Sequence, residues 1–514
     1  MNDFPWLTLL NAAPLVGALV VGFAPPTLTK LAAVGFSLLT LALGIAVALQ
    51  FDLDSGGMQL EEQHTWIEAF GVHYALGVDG LGLLMVLLTA VLVPIVLVAG
   101  WFDSDDGNTR AFFAWALALE GLSLAVFCAT DVFLFYVVFE ATLIPAYFLI
   151  GGFGRAGRGA AAVKFLMFQL AGGLILLGAV IGLYVVSAQQ GKPSYLLSDL
   201  TELDISTDAG RWLFAGFFIA FAIKAPLFPV HTWLADTTEK ATPGVSVLLV
   251  CVLDKIGTFG MLRFCLGIFP EASKWATPLV MVLALISIVY GALVAIGQDD
   301  VLRLIGLTSL SHFGFITVGV FAMSSQGGSG AILYMVNHGL GTAALFLLAG
   351  YLVRRRGTTL ISQMGGLEKV TPVLAGLFLV AGLATLGLPG LSPFVSEFLV
   401  LLSAFDYAWY VGAVAVTGIV LAAIYVLWMY QRVFTGPGVP ELDGTPDLDR
   451  REIGAVAPLL LALVLFGFYP MPLLDVANPT VKNLMSHVGV TDQEPDVPAD
   501  SVPDHAATEE GGDH

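Results

Sequence analysis

The chain has 514 residues, 57% of them hydrophobic and 12% charged, with a mean hydropathy of +0.87. No soluble core needs that much apolar sequence, so the composition describes a polytopic membrane protein. A net charge of −19 speaks against nucleic acid as a partner.

The start, MNDFPWLTLLNAAPLVGALVVGF, has no basic n-region, and Asp3 is its only charge. It reads as a retained first span rather than a cleaved signal. A span needs about 20 mostly apolar residues. Hydropathy predicts about fourteen, beginning near Pro5, Leu28, Leu81, Ala111, Val132, Ala161, Trp212, Pro243, Ala276, Val301, Ser329, Pro372, Ala408 and Ile453. Between the second and third, residues 51–80 carry acids but no Lys or Arg and read as an outer loop. The last two dozen residues are acidic, with nothing to bury, and read as a disordered tail.

Lysine and arginine set the orientation. With the N-terminus outside, fourteen of the 21 fall in inner loops, among them Lys30, Arg303, Arg354, Arg355 and Arg356. Four lie outside (Lys192, Arg211, Lys274, Lys482) and three within spans (Lys224, Lys255, Arg263). Both termini are then expected to face out. Cys128, Cys251 and Cys265 sit in apolar segments without CxxC or His-Cys spacing, so no disulfide framework, zinc site or iron–sulfur cluster is expected. There is no P-loop and hence no sign of a P-loop nucleotide site.

Span 7 contains GFFIAFAIKAPLFPVHTWLADT, where Lys224 is followed by Pro226, Pro229 and His231. Five spans later, LATLGLPGLSPFVSEFLVLL is interrupted by Pro389 and Pro393, with Glu397 just beyond. Spans five apart cross in opposite directions, so two inverted five-span units, spans 4–8 and 9–13, account for the pair of breaks. Paired interruptions of this kind point to an ion path, because freed carbonyls need a water-lined or protein-lined cavity. Pro and Gly are also simply commoner in membrane helices, but two breaks at matching positions, each beside an ionisable residue, favour function.

Six groups lie well inside spans: Glu140, Lys224, Lys255, His312, His338 and Glu397. Most are about 8 to 13 residues from a helix end, roughly 12–20 Å deep. A Lys or Asp at the bilayer centre costs ~2.5–3.5 kcal/mol, so several must be offset by pairing, hydration or neutralisation. Glu140 and Lys224 enter from the same side to similar depth and are expected partners. Burial disfavours the charged lysine and a nearby carboxylate favours it, so a change at Glu140 would load or unload a proton on Lys224. Taken singly, each group reads as well as a structural ion pair or a satisfied core histidine; as a line at one depth they read as a proton relay. Three further groups are weaker. Glu120 is either a proton-uptake group or an inward-facing acid. Asp254, about 100° round the helix from Lys255, need not share its partner. Arg263, near the outer end of span 8, is expected to snorkel to the interface.

FAIKAPLFPVHTWLADTTEKATPGVSVLLVCVLDKIGTFGMLRF, DDVLRLIGLTSLSHFGFITVGV, VNHGLGTAALFLLAGYLVRRRGTTLISQMGGL and LGLPGLSPFVSEFLVL together resemble the antiporter-like subunits of respiratory complex I. The resemblance runs over most of spans 4 to 13. It implies a proton-pumping membrane-arm subunit whose relay glutamate and lysines fall on Glu140, Lys224 and Lys255. The linking histidines fall on His312 and His338 and the terminal exit group on Glu397. A terminal glutamate, where other members and the Mrp-type antiporters usually carry lysine, is similar to the chain M (mitochondrial subunit 4) branch, as is the lack of a long lateral helix. Asp254 beside Lys255 departs from the pattern.

The expected fold is an all-α polytopic membrane protein of about 14 transmembrane helices. Residues 1–110 form a three-helix region with an outer loop, 111–270 the first repeat, 271–435 its inverted partner, 436–485 the last helix and 486–514 the tail. The expected function is outward proton translocation in an NADH:quinone oxidoreductase. NADH, FMN, iron–sulfur clusters and quinone are expected in partner subunits, and no redox cofactor in this chain. The chain is expected among other membrane-arm subunits in a bacterial cytoplasmic membrane. The alternatives are a subunit of a multi-chain sodium/proton antiporter without redox coupling and a non-transporting scaffold; the midplane charges argue against the scaffold.

Overall fold

A computed structural model describes residues 4–104, 107–437 and 444–492. The protein is a bundle of helices. Among the described residues, twelve are long and apolar enough to cross a bilayer: Trp6–Phe23, Pro26–Leu49, Gly80–Ala99, Thr109–Cys128, Val132–Phe153, Arg158–Gln189, Pro243–Leu266, Pro270–Ile296, Val301–Phe321, Ser325–Arg356, Trp409–Phe434 and Arg450–Phe468. They take the places of expected spans 1–6, 8–11, 13 and 14. In the places of spans 7 and 12 the chain forms pairs of half-helices, Thr207–Lys224 with Thr232–Lys240, and Pro372–Thr385 with Ser392–Tyr407. This arrangement is compatible with the fourteen-span expectation.

Helix ends follow the local sequence. Asp79, Asp131, Asp300 and Ser324 accept hydrogen bonds from the first-turn amides of spans 3, 5, 10 and 11. Span 11 ends on Gly357 at φ 66°, with three arginines in its last turn facing the negative end of the helix dipole. The central stretches of spans 8, 10 and 11 are wholly enclosed by the others, whereas little more than a quarter of span 2 is covered. Polar sequence can therefore be carried in the interior while the outer helices stay apolar towards lipid.

Three expectations change. Residues 51–80 are not merely a loop. Gln59–Ile67 and Val72–Val78 pair as an antiparallel hairpin, turned at Gly71 with φ 62°. Glu62 of that hairpin accepts from the Leu7 amide at 2.7 Å and the Thr8 amide at 3.1 Å, so its carboxylate caps span 1. The expected last helix, 436–485, is two helices. Arg450–Phe468 spans, the chain turns at Tyr469 and Pro470, and Met471–Val488 lies across the ends of spans 3 and 11 with one apolar face buried. Arg263 does not snorkel. It is buried and grips Asp79 with two hydrogen bonds of 2.6 and 2.7 Å. The acidic stretch from residue 493 lies outside the described residues, while 486–488 complete the Met471–Val488 helix.

Candidate functional site

Both breaks are satisfied by protein. In span 7, the indole of Trp233 donates to Ile223 O at 3.1 Å, and the Phe228 amide donates to Ser287 Oγ at 2.9 Å. In span 12, Gly387 and Gly390 take φ of 75° and 94°, and Asn337 Nδ2 donates to Ser392 O at 2.8 Å. These bonds answer part of the freed backbone from the protein side, while Pro229, Leu388 and Pro389 lie exposed at the two breaks.

Lys224 ends the first half of span 7, buried to 1% exposure. Its Nζ donates to Thr142 Oγ1 at 3.5 Å and lies 4.8 Å from the centroid of the Phe139 ring. Thr142 marks a bend in span 5, where its hydroxyl donates to Phe139 O. Glu140 precedes this bend and is half-buried. Glu140 and Lys224 lie within electrostatic reach but form no ion pair among the described residues. The two expected partners therefore act on each other at a distance rather than as an ion pair. Gly173 of span 6 makes room for the Glu140 carboxylate: a Cβ there would sit 1.8 Å from Oε1.

From Lys255 onward the polar atoms are close. Lys255 Nζ and His338 Nδ1 are 2.6 Å apart, and His338 Nε2 lies 3.2 Å from Ser309 Oγ. The rings of His338 and His312 are 5.2 Å apart. His312 Nδ1 meets the Tyr334 hydroxyl at 2.7 Å, and that hydroxyl donates to Glu397 Oε1 at 2.9 Å. With Tyr334 donating to the carboxylate, its oxygen accepts from His312, so this part of the chain is polarised towards Glu397. Tyr425 approaches the other nitrogen of His312 at 3.4 Å. All these side chains are buried. The cavity among His312, Tyr334, His338 and Pro393 is about 10 Å³, the room one water needs. Gly387 does for Glu397 what Gly173 does for Glu140: a Cβ there would lie 1.8 Å from Oε2.

The sequence reading missed Tyr334, which joins His312 to Glu397. The available signal was its spacing, four residues before His338 and so on the same helix face. It also missed the backbone around Lys255. Span 8 makes π-helical turns at Leu248–Leu253 and Met261–Leu266, with a short α-helical stretch, Lys255–Gly260, between them. Such turns gather at functional sites. Glu120 is buried and, among the described residues, neither carboxylate oxygen has a hydrogen-bond partner and nothing links it to the line of groups.

A family profile described as "NADH:quinone oxidoreductase/Mrp antiporter, TM" matches residues 129–422. NADH-quinone oxidoreductase subunit M of Mycobacterium tuberculosis is 49% identical, over 97% of each chain. The chain belongs to the family of NADH-quinone oxidoreductase subunit M. NADH-ubiquinone oxidoreductase chain 4 of Arabidopsis thaliana, another relative, is 36% identical over 94% of this chain and 97% of its own. A chain of respiratory complex I from Thermus thermophilus superposes with a TM-score of 0.87 at 34% identity, covering 94% of this chain and 100% of that one. A chain of the Mrp complex from a Dietzia species matches at a TM-score of 0.84 and 23% identity, over 95% and 100%, a likeness of fold. The subunit M family is that of the resemblance drawn from the motifs, and this multi-pass chain is built as such subunits are.

Proposed function

We propose that the chain translocates protons outward as a membrane-arm subunit of an NADH:quinone oxidoreductase, driven by quinone reduction in partner subunits. The observation that carries this reading is the buried line Lys255–His338–His312–Tyr334–Glu397, closed by hydrogen bonds of 2.6–2.9 Å except at the step between the histidines. A buried polar line of this length is costly to keep, and such lines mark proton paths. Glu140, only half-buried at the side of span 5, is the group a neighbouring membrane subunit reaches. A change of charge or position there alters the balance at Lys224 through space. The proton released passes by Lys255 and the histidines to Glu397 and the outer side. NADH, FMN, iron–sulfur clusters and quinone belong to partner subunits. The membrane is the bacterial cytoplasmic membrane, with both termini outside, in keeping with the Lys/Arg distribution.

The sodium/proton antiporter reading draws on the Mrp likeness, but that likeness is of fold at 23% identity. The test is Glu140→Gln in the whole complex, reconstituted in vesicles and driven by NADH. Proton yield per NADH should fall and coupled turnover should slow. An unchanged yield in the assembled variant would refute the scheme.

A further inference from the structure

We propose that Asp254 is a relay residue that carries the proton between Lys224 and Lys255. The inference rests on the proton-translocation reading above and adds a step to it.

The line of polar groups has one gap. Lys224 reaches Thr142 at the limit of a hydrogen bond, and Lys255 is turned the other way, to His338 and to the face of Phe313 at 4.5 Å. No hydrogen bond joins the two lysines among the described residues. Asp254 faces the gap. Its carbonyl accepts from the Gly257 amide at 3.1 Å, which holds residues 254 and 257 on one side of span 8. Gly257 is pressed against the break in span 7: a Cβ there would lie 2.4 Å from the amide nitrogen of Ala225, the residue after Lys224. Span 8 thus turns its carboxylate towards the first repeat and, one residue on, its ammonium towards the second. The π turn helps set this register, since the Asp254 amide bonds Leu249 O, five residues back.

The carboxylate is placed for use rather than for a fixed pair. Asp254 is 1% exposed, yet Oδ2 has no hydrogen bond, and no ion pair with either lysine forms within 4 Å among the described residues. Its charge acts on both Lys224 and Lys255. A buried carboxylate with an idle oxygen is costly. Standing between two cations while gripping neither suits an acceptor that takes a proton from one and gives it to the other. In that step the Lys224 ammonium passes a proton to the Asp254 carboxylate, leaving a neutral amine and a carboxylic acid. Once Lys255 has handed its own proton to His338, the acid passes the proton to the neutral Lys255 amine. Asp254 returns to carboxylate, and one proton has moved.

The test uses the complete complex in vesicles driven by NADH, comparing Asp254→Asn, Asp254→Glu, Lys224→Ala and the double variant Lys224→Ala/Asp254→Asn. Asp254→Asn should lose the same share of proton yield per NADH as Lys224→Ala. Asp254→Glu should restore it, and the double variant should lose no more than either single change. Full yield in Asp254→Asn beside a loss in Lys224→Ala overturns the proposal and leaves the pump standing. Full yield in both removes the proton reading itself, and Asp254 with it. Should Asp254→Asn fail to assemble, infrared difference spectra on NADH addition decide. A protonated-carboxyl band that shifts in Asp254→Glu supports the relay, and a spectrum identical to that of the parent overturns it.

Discussion

Replacing Tyr334 with Phe removes one oxygen and leaves the ring stacked on Phe315 at 6.1 Å. That oxygen makes the hydrogen bonds of 2.7 Å to His312 and 2.9 Å to Glu397. Without it the two groups stay roughly 4.5–5.5 Å apart, beyond hydrogen-bond range. The adjoining cavity, about 10 Å³, admits one water at most. If neither group finds water, two buried polar atoms go unsatisfied at about 1–3 kcal/mol each. Tyr334→Phe is therefore expected to assemble with modestly lower thermal stability and to lose proton yield. In vesicles carrying a pH-sensitive dye, NADH oxidation should continue while inward acidification per NADH falls, for complexes oriented with the outer face inward. Acidification equal to that of the parent, with assembly verified, would show that the path does not run through this hydroxyl.

Other changes probe the same architecture. Gly173→Ala and Gly387→Ala each drive a methyl to 1.8 Å from a glutamate oxygen, so both should depress proton yield, whereas Gly178→Ala, with nothing within 4 Å, should leave it unchanged. At Gly387, with φ 75°, alanine adds about 1–2 kcal/mol of backbone strain, readable as a lower melting temperature. Asp79→Asn keeps the cap on span 3 but strands the buried Arg263, and should cost about 3–5 kcal/mol in thermal or detergent stability. Slight burial acts to raise the Asp299 carboxyl, but hydrogen bonds from Ser362 and the ion pair with Arg432 outweigh it and hold the group below the usual carboxylate range. A lowered carboxyl stabilises above its unfolded value of about 3.9 and stops doing so as pH falls through the lower folded value. Asp299→Asn should therefore melt earlier at neutral pH, and the difference should vanish in acid.

Much of this is legible in the sequence itself. Long apolar runs announce spans because lipid leaves the backbone few options. Lys224, Lys255 and Glu397 stand out because a charge at that depth is rarely idle, and paired prolines mark helices that must break. Tyr334 was hidden by its chemistry: an aromatic in an apolar helix fits packing as well as it fits a proton path. Arg263 and Asp79 are 184 residues apart, and nothing local tells a buried pair from a snorkelling side chain. The hairpin hid among acids because Glu62 turns its carboxylate to a helix end rather than to solvent. The partnership of Glu140 with Lys224 was inferred from depth alone, which fixes height in the membrane but not lateral distance.

The enclosure of spans 8, 10 and 11 also bears on how the chain is made. These three helices carry Asp254, Lys255, Arg263, His312 and His338. Synthesis runs from the N-terminus, so span 8 leaves the ribosome before spans 10 and 11, which are to cover it. The nascent protein must keep a charged helix out of the acyl chains until its later neighbours arrive. Until spans 10 and 11 pack against it, each central charge of span 8 carries a cost of about 2.5–3.5 kcal/mol that folding later offsets.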